Sequence, residues 1–178
     1  MKVCVDAGHG GNDPGAVGTT PFRLEEKKVT LDIARLLEEE LEARGHWVVM
    51  TRRRDRFVAL SSRAEFANRL GADRFVSIHA NAAGSAAARG MEVFHFAASQ
   101  TGKPMAESVL GALIKTFPEH QNRGVKEANF AVLRLTDMPA ILVESEFITN
   151  PTQLQFLADP GNQALMAAAI ADGIEAAR

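Results

Sequence analysis

Short apolar runs of strand length alternate along the chain with longer stretches in which apolar residues recur every three or four positions. KVCVDA (residues 2–7) is a nearly continuous apolar run that stops just before a glycine-rich segment. From Glu26 to Arg44, Val29, Ile33, Leu36, Leu37 and Leu41 fall on one helical face, with Glu38, Glu39 and Glu42 turned away and Gly45 as the stop. HWVVMT reads as the next strand. SRAE (residues 62–65) has capping-box spacing and predicts the start of a helix that ends near Gly71. RFVSIHAN and GMEVFHF read as strands, and a helix is predicted from about Met105 to Thr116. FAVLRL and AILVES read as two further strands separated by Asp137-Met138-Pro139. NPTQ (residues 150–153) places Asn as a cap and Pro in the first helical position, and a last helix is predicted from about Gln163 to Ala176.

Strand–helix alternation with near-continuous apolar strands predicts an α/β fold: one domain over residues 1–178, with a mostly parallel or mixed sheet of about six strands and helices on both faces. At 178 residues the chain is long enough for one sizeable core and short for two. The formal net charge of −2 gives no footprint for nucleic acid. TRRRDR (residues 51–56) is a local basic run, read as a solvated turn or, alternatively, as a face for an anionic substrate. No apolar stretch approaches the ~20 residues of a membrane span. Met1-Lys2 leads straight into the first strand, so no signal peptide is read in these residues and any export route lies outside them. The single Cys4 excludes an intrachain disulfide and sits within an apolar run as a core residue.

In such sheets, ligands bind beyond the carboxyl ends of the strands. The first strand delivers His9, inside the loop VDAGHGGNDPGAVG. FVSIH delivers His79, followed by Asn81. AILVE delivers Glu144, with Glu146 two residues on. An ionisable group at the end of a buried strand is costly unless paired or liganded. One such residue is readily explained by a local hydrogen bond; three at one edge point to a site. Two imidazoles and a carboxylate are a common catalytic zinc set. Glu144, Glu25 and Glu26 are all candidates for the third ligand, and spacing does not choose among them.

Other chemistries fit less well. Asp13 stands where the third glycine of a dinucleotide fingerprint belongs, and no phosphate-binding P-loop is present. Cys4 lies mid-strand, away from an exposed edge, and Ser77 has no nucleophile elbow around it, so Ser77 reads as a core or supporting residue. His46, His95 and His120 lack metal-type neighbours and read as surface or satisfied histidines.

The ordered set VDAGHGGNDPGAVG, EKKVTLDIA, VVMTR, LSSRAEFAN, FVSIHANA, NRGVKEANFAVLR and PAILVESEFITN resembles the zinc-dependent N-acetylmuramoyl-L-alanine amidases of the amidase-3 type, found in cell-wall autolysins and phage endolysins. The resemblance runs from Val3 to the last helix. It implies one Zn2+ per chain held by His9, Glu26 and His79, with Glu144 as catalytic base, and hydrolysis of the amide between N-acetylmuramic acid and L-alanine in peptidoglycan. It implies action on the cell wall, outside the cytoplasm, which with no signal peptide read here fits a released phage lysin or an excised domain; a monomer is expected. The rival readings are a zinc peptidase acting on wall peptides and a non-catalytic wall-binding module.

Asn81, Arg63 and Glu146 are candidate substrate contacts. Arg63, or an arginine of the Arg52 to Arg54 run, would hold a stem-peptide carboxylate or else form a salt bridge within the fold. Many members carry Gly or a small residue where Glu146 stands, so its carboxylate either lines the groove or points away. Regulated autolysins of this type also carry a long insertion, with a blocking helix, after the fourth strand. Here GMEVFHFAASQTGKPMAESV passes almost directly into the next helix, which predicts an open groove that needs no activator.

Overall fold

A computed structural model describes residues 1–177. In chain order the elements are β1 (Lys2–Ala7), β2 (Val17–Gly18), β3 (Leu24–Glu25), α1 (Glu26–Ala43), β4 (Trp47–Met50), α2 (Leu60–Arg69) and β5 (Arg74–Asn81). They continue with β6 (Met91–His95), α3 (Gly102–Thr116), β7 (Asn122–Glu127), α4 (Ala131–Arg134), β8 (Ala140–Phe147), α5 (Pro151–Ala158) and α6 (Pro160–Ala176). Six strands form one sheet in the order β4-β1-β5-β8-β6-β7, while β2 and β3 pair as a separate ribbon. Every neighbouring pair in the large sheet is parallel except β6–β8. The predicted α/β class and mixed six-stranded sheet are therefore present.

That one antiparallel pairing shapes the site. It brings the amino ends of β6 and β7 to the same sheet edge as the carboxyl ends of β4, β1, β5 and β8.

The two sheet faces are covered unequally. On one, Val3, Val5, Val76, Ile78, Ile141 and Val143 pack under Val29, Ile33, Leu37 and Leu41 of α1, Val109 and Leu113 of α3 and Ile170 of α6. Each such buried aliphatic side chain contributes roughly 1.5–3 kcal/mol. On the other, Cys4, Phe75, Ala140 and Leu142 form a smaller cluster with Ala67 of α2, Ala72, and Val132 and Leu133 of α4, with Phe66, Phe94 and Met138 among the partly buried residues around it. The lighter cover leaves a cleft open between α2 and α4.

Several elements depart from the sequence expectation. FAVLRL forms the single turn α4, and the sixth strand is instead β7, NRGVKE, a polar edge strand without apolar alternation. SRAE is not a capping box: α2 begins at Leu60 with Ala59 as an uncapped N-cap, so Ser62 lies inside the helix. The Asn150 cap is present, its side chain accepting from the amides of Thr152 at 2.9 Å and Gln153 at 3.3 Å. The last helix starts earlier than predicted, at Pro160, because Asp159 caps it through the amide of Asn162 at 2.9 Å. Cys4 is buried, and burial pushes its thiol far above the ordinary range, which removes it as a nucleophile.

Candidate active site

His9 is the one residue other than glycine with a left-handed backbone among those described, at φ 61°. Such a conformation costs free energy in most residues and is held by its surroundings. Two buried arginines hold it. Arg63 donates from Nη2 to the His9 carbonyl at 2.8 Å and from Nη1 to the Ala7 carbonyl at 2.6 Å. Arg52 donates from Nε to the Ala7 carbonyl at 2.9 Å and from Nη2 to the Gly8 carbonyl at 2.7 Å. The glycines of the loop have a steric purpose as well. A Cβ at Gly8 would lie 2.4 Å from His79 Cε1, and one at Gly15 would lie 2.6 Å from Glu26 Oε2.

The loop delivers His9 to Glu26, the first residue of α1. His9 Nε2 lies 3.1 Å from Glu26 Oε1, and His79 Nδ1 lies 2.9 Å from the same oxygen. The two imidazoles meet edge to face, their centroids 5.0 Å apart. Glu26 is 4% exposed, and its carboxylate is anchored by the amides of Ala16 at 2.8 Å and Ala80 at 3.0 Å. Burial opposes its ionisation, but the hydrogen bonds from His79 and His9 outweigh burial and hold it well below the usual carboxylate range. The other face of His9 is fixed by Asp13, whose Oδ2 lies 2.9 Å from Nδ1. Burial opposes the charged imidazole, yet Glu26 and then Asp13 raise His9 to about 9.

Ligand atoms of His9, Glu26 and His79 all lie within 4.8 Å of one another. Two imidazoles and one carboxylate, with a carboxylate behind one imidazole, match the donor set and supporting interactions of catalytic zinc sites. The residues present fit a divalent metal. Glu25, the alternative at the helix start, instead pairs with Arg23 and Lys27 on the surface.

Glu144 lies beside this cluster, registered directly against His79 across the β5–β8 ladder. Its Oε2 is buried and has no hydrogen-bond partner among the described residues. Burial pushes the carboxyl up to about 7; His79 opposes this, and the nearby Glu26 and Glu92 carboxylates add to it. A cavity of about 220 Å³ opens over the group, lined by His9, His79, Glu144, Leu142, Leu60, Phe130, Ala131 and Val132.

The remaining sequence candidates have other occupations. Arg63 is 2% exposed and bonds Asp6 Oδ1 at 2.8 Å besides the loop carbonyls, so it takes the intramolecular alternative. Arg52 within the basic run is fully buried, contrary to a solvated turn, whereas Arg53 pairs with Glu38 at the surface. Glu146 is fully buried and accepts from Gly90 and Phe147 amides and from His120, so its carboxylate points away from the cluster. The cause is a register shift: His79 pairs with Glu144 but Asn81 with Phe147, and the extra β8 residue breaks the alternation that would have set Glu146 beside Glu144. Asn81 donates to Glu92 at 2.7 Å. Ser77 supports Asp6 at 2.6 Å, and His46, His95 and His120 all have partners. Asp6 and Asp13 were not singled out for a role from sequence; an acid four residues after His9 in a glycine-rich loop was the signal for Asp13.

Fold and site together define the class: a mixed-sheet α/β protein that gathers a His–Glu–His cluster beside a half-buried glutamate whose Oε2 is enclosed without a hydrogen-bond partner among the described residues. The chain belongs to the N-acetylmuramoyl-L-alanine amidase family (Amidase_3), whose profile matches residues 3–176. It is 36% identical over 173 residues to the probable cell wall amidase LytH of Staphylococcus epidermidis, a match covering 97% of this chain and 57% of that protein. The chain thus spans somewhat more than half the length of that curated relative. Among solved structures, it is similar to the N-acetylmuramoyl-L-alanine amidase AmiC2 of Nostoc punctiforme, at 39% identity and a TM-score of 0.93 over 99% of this chain and 96% of that one. An N-acetylmuramoyl-L-alanine amidase of Clostridium difficile 630 superposes with a TM-score of 0.94 at 35% identity, over 98% and 95% of the two chains.

Proposed function

We propose that this chain is a zinc-dependent N-acetylmuramoyl-L-alanine amidase that cleaves the amide between N-acetylmuramic acid and the L-alanine of the stem peptide in peptidoglycan. The observation that carries the reading is Glu144 Oε2, buried without a hydrogen-bond partner among the described residues, beside the His9–Glu26–His79 cluster. Family membership and the names of its relatives support the substrate.

His9, Glu26 and His79 would hold the metal. A zinc ion bound there supplies Lewis-acid polarisation and makes hydroxide chemistry available near neutral pH. Glu144, as carboxylate, takes a proton from the attacking water as its oxygen bonds to the lactyl carbonyl carbon. The same group then gives that proton to the departing alanine nitrogen as the carbon–nitrogen bond breaks. Burial lifts the Glu144 carboxyl above the ordinary carboxylate range, which favours a group that both takes and returns a proton. Asp13 keeps the His9 Nδ1 occupied, leaving Nε2 toward Glu26 and the metal position.

All four residues come from one chain, so a monomer suffices. The chain passes from β6 to α3 through residues 96–101, which add no helix over the cleft, so cleavage without an activating partner is expected. The substrate places this action at the cell wall, outside the cytoplasm.

Mass spectrometry of material released from purified sacculi tests the reading. Zinc-loaded protein should release stem peptides bearing a free L-alanine amine, and Glu144→Gln should not. Cuts inside the peptide would point to a peptidase, and binding without release would point to a wall-binding module.

A further inference from the structure

Glu92, near the start of β6, lies directly opposite Glu144 in the antiparallel β6–β8 ladder. Residues paired in this way project from the same sheet face. Glu92 is 4% exposed and fully engaged: Arg123 Nε donates to its Oε2 at 2.7 Å, Lys126 Nζ donates to the same oxygen, and Asn81 Nδ2 donates to Oε1 at 2.7 Å.

The edge strand reaches Glu92 with both cations only because its register shifts. Met91 pairs with Asn122 while Val93 pairs with Val125, so three residues of β7 span two of β6. Gly124 takes φ 86° within this bulge. Along a regular strand, residues three apart face opposite ways. The bulge turns Arg123 and Lys126 to the same carboxylate.

One cation would neutralise Glu92; two leave the cluster with a net positive charge. Arg123 Nη2 makes no hydrogen bond to the described residues, and Lys126 has two of its three donors spare. Their side chains remain 31% and 38% exposed. Arg123 stacks on Phe147 at 4.9 Å, while a chain of ring contacts leads from Lys126 to the cleft. Lys126 Nζ sits 5.9 Å from the Phe94 ring centroid, Phe94 meets Phe130 at 5.2 Å, and Phe130 lines the cavity with His79 and Glu144.

We infer that Lys126, held on Glu92 with Arg123 bound to the same oxygen, forms a carboxylate-binding subsite for the leaving peptide. The inference rests on the amidase reading. Of the two halves of that substrate, the carboxylates belong to the stem peptide, not to the amino-sugar strand. The residue after the alanine is the first to offer one, as a free acid or masked as a carboxamide. Fixed cations flanked by apolar rings favour the acid through charge-assisted hydrogen bonds that the amide forms less well.

The test uses two muramoyl dipeptides that differ only in an acid or an amide on the second residue. The ratio of their kcat/KM values is measured for the zinc-loaded wild type, Lys126→Gln and Lys126→Arg. The wild type should favour the acid by about tenfold, which corresponds to one good charge-assisted bond. The preference should reside in KM, weaken with added salt, collapse toward unity in Lys126→Gln and survive in Lys126→Arg. Equal cleavage of both substrates by the wild type, or an unchanged ratio in Lys126→Gln, would overturn the subsite and leave the amidase reading intact. Cleavage of neither by the wild type would overturn the amidase reading, and the subsite with it.

Discussion

His79 and Glu144 are register partners on adjacent parallel strands, so the sheet itself sets an imidazole that touches Glu26 next to a carboxyl whose buried Oε2 has no hydrogen-bond partner among the described residues. A single ladder position therefore separates the group proposed to hold the metal from the group proposed to move the proton. Neither depends on loop placement. Only His9 arrives on a loop, and that loop is clamped by buried arginines.

The clamp should dominate stability at this edge. Replacing Arg63 by Met leaves Asp6 buried and uncompensated, and is expected to cost about 3–5 kcal/mol in denaturant unfolding. A loss below about 1 kcal/mol would mean that Asp6 is neutral or relaxes to water.

Acid should expose the same pair. Burial opposes Asp6 ionisation, but Arg63 and the hydroxyls of Ser77 and Thr51 together hold its carboxyl below the ordinary range. A depressed folded value means that its contribution is fully present above the unfolded value, about 3.9. It is then lost as pH falls through the folded one. Unfolding free energy measured downward from pH 5 should fall, and Asp6→Asn should show a shallower slope.

Gly8→Ala separates folding from function. Gly8 has no positive φ, but its new Cβ would displace the His79 ring from 2.4 Å away. The fold should survive with a loss near 1 kcal/mol, while zinc affinity drops by about tenfold or more, as follows disturbance of a ligand's support. Unchanged zinc affinity would show that the His79 ring has room to adjust.

Asp13→Asn should weaken zinc binding by about 10–100-fold, read by competition with a chelating dye, because Asp13 orients His9 through Nδ1. The effect should be on affinity, with little on unfolding, since Asp13 is partly exposed.

How much of this was legible in the sequence follows from the physics of each element. The α1 face and the strands leading to His9, His79 and Glu144 are clearly patterned, and the strand-edge rule points to those three residues, while Glu26 follows only from the family resemblance. Glu25 and Glu26 adjoin, so only the direction set by the helix start separates them. β7 went unread because a polar edge strand need not alternate, and FAVLRL is too short for its apolar run to tell strand from helical turn. Whether Glu146 lines the groove or points away stays open in the sequence, because the bulge that turns it from Glu144 leaves no mark there. Arg52 reads as part of a solvated basic turn, and Arg63 as either a substrate contact or an internal salt bridge, because their partners, carbonyls of a strained loop and Asp6, are set only by the folded chain.

The central claim is a division of labour: His9, Glu26 and His79 hold the metal while Glu144 handles the proton. The most direct measurement is zinc content per chain, by elemental analysis, together with cleavage rate for the wild type, His9→Ala and Glu144→Gln. About one zinc is expected in the wild type and in Glu144→Gln, with cleavage in the latter reduced at least ~10²-fold, in line with losing a general acid–base. His9→Ala should lose both zinc and activity. A Glu144→Gln protein that loses its zinc, or that keeps wild-type cleavage with zinc bound, would contradict it.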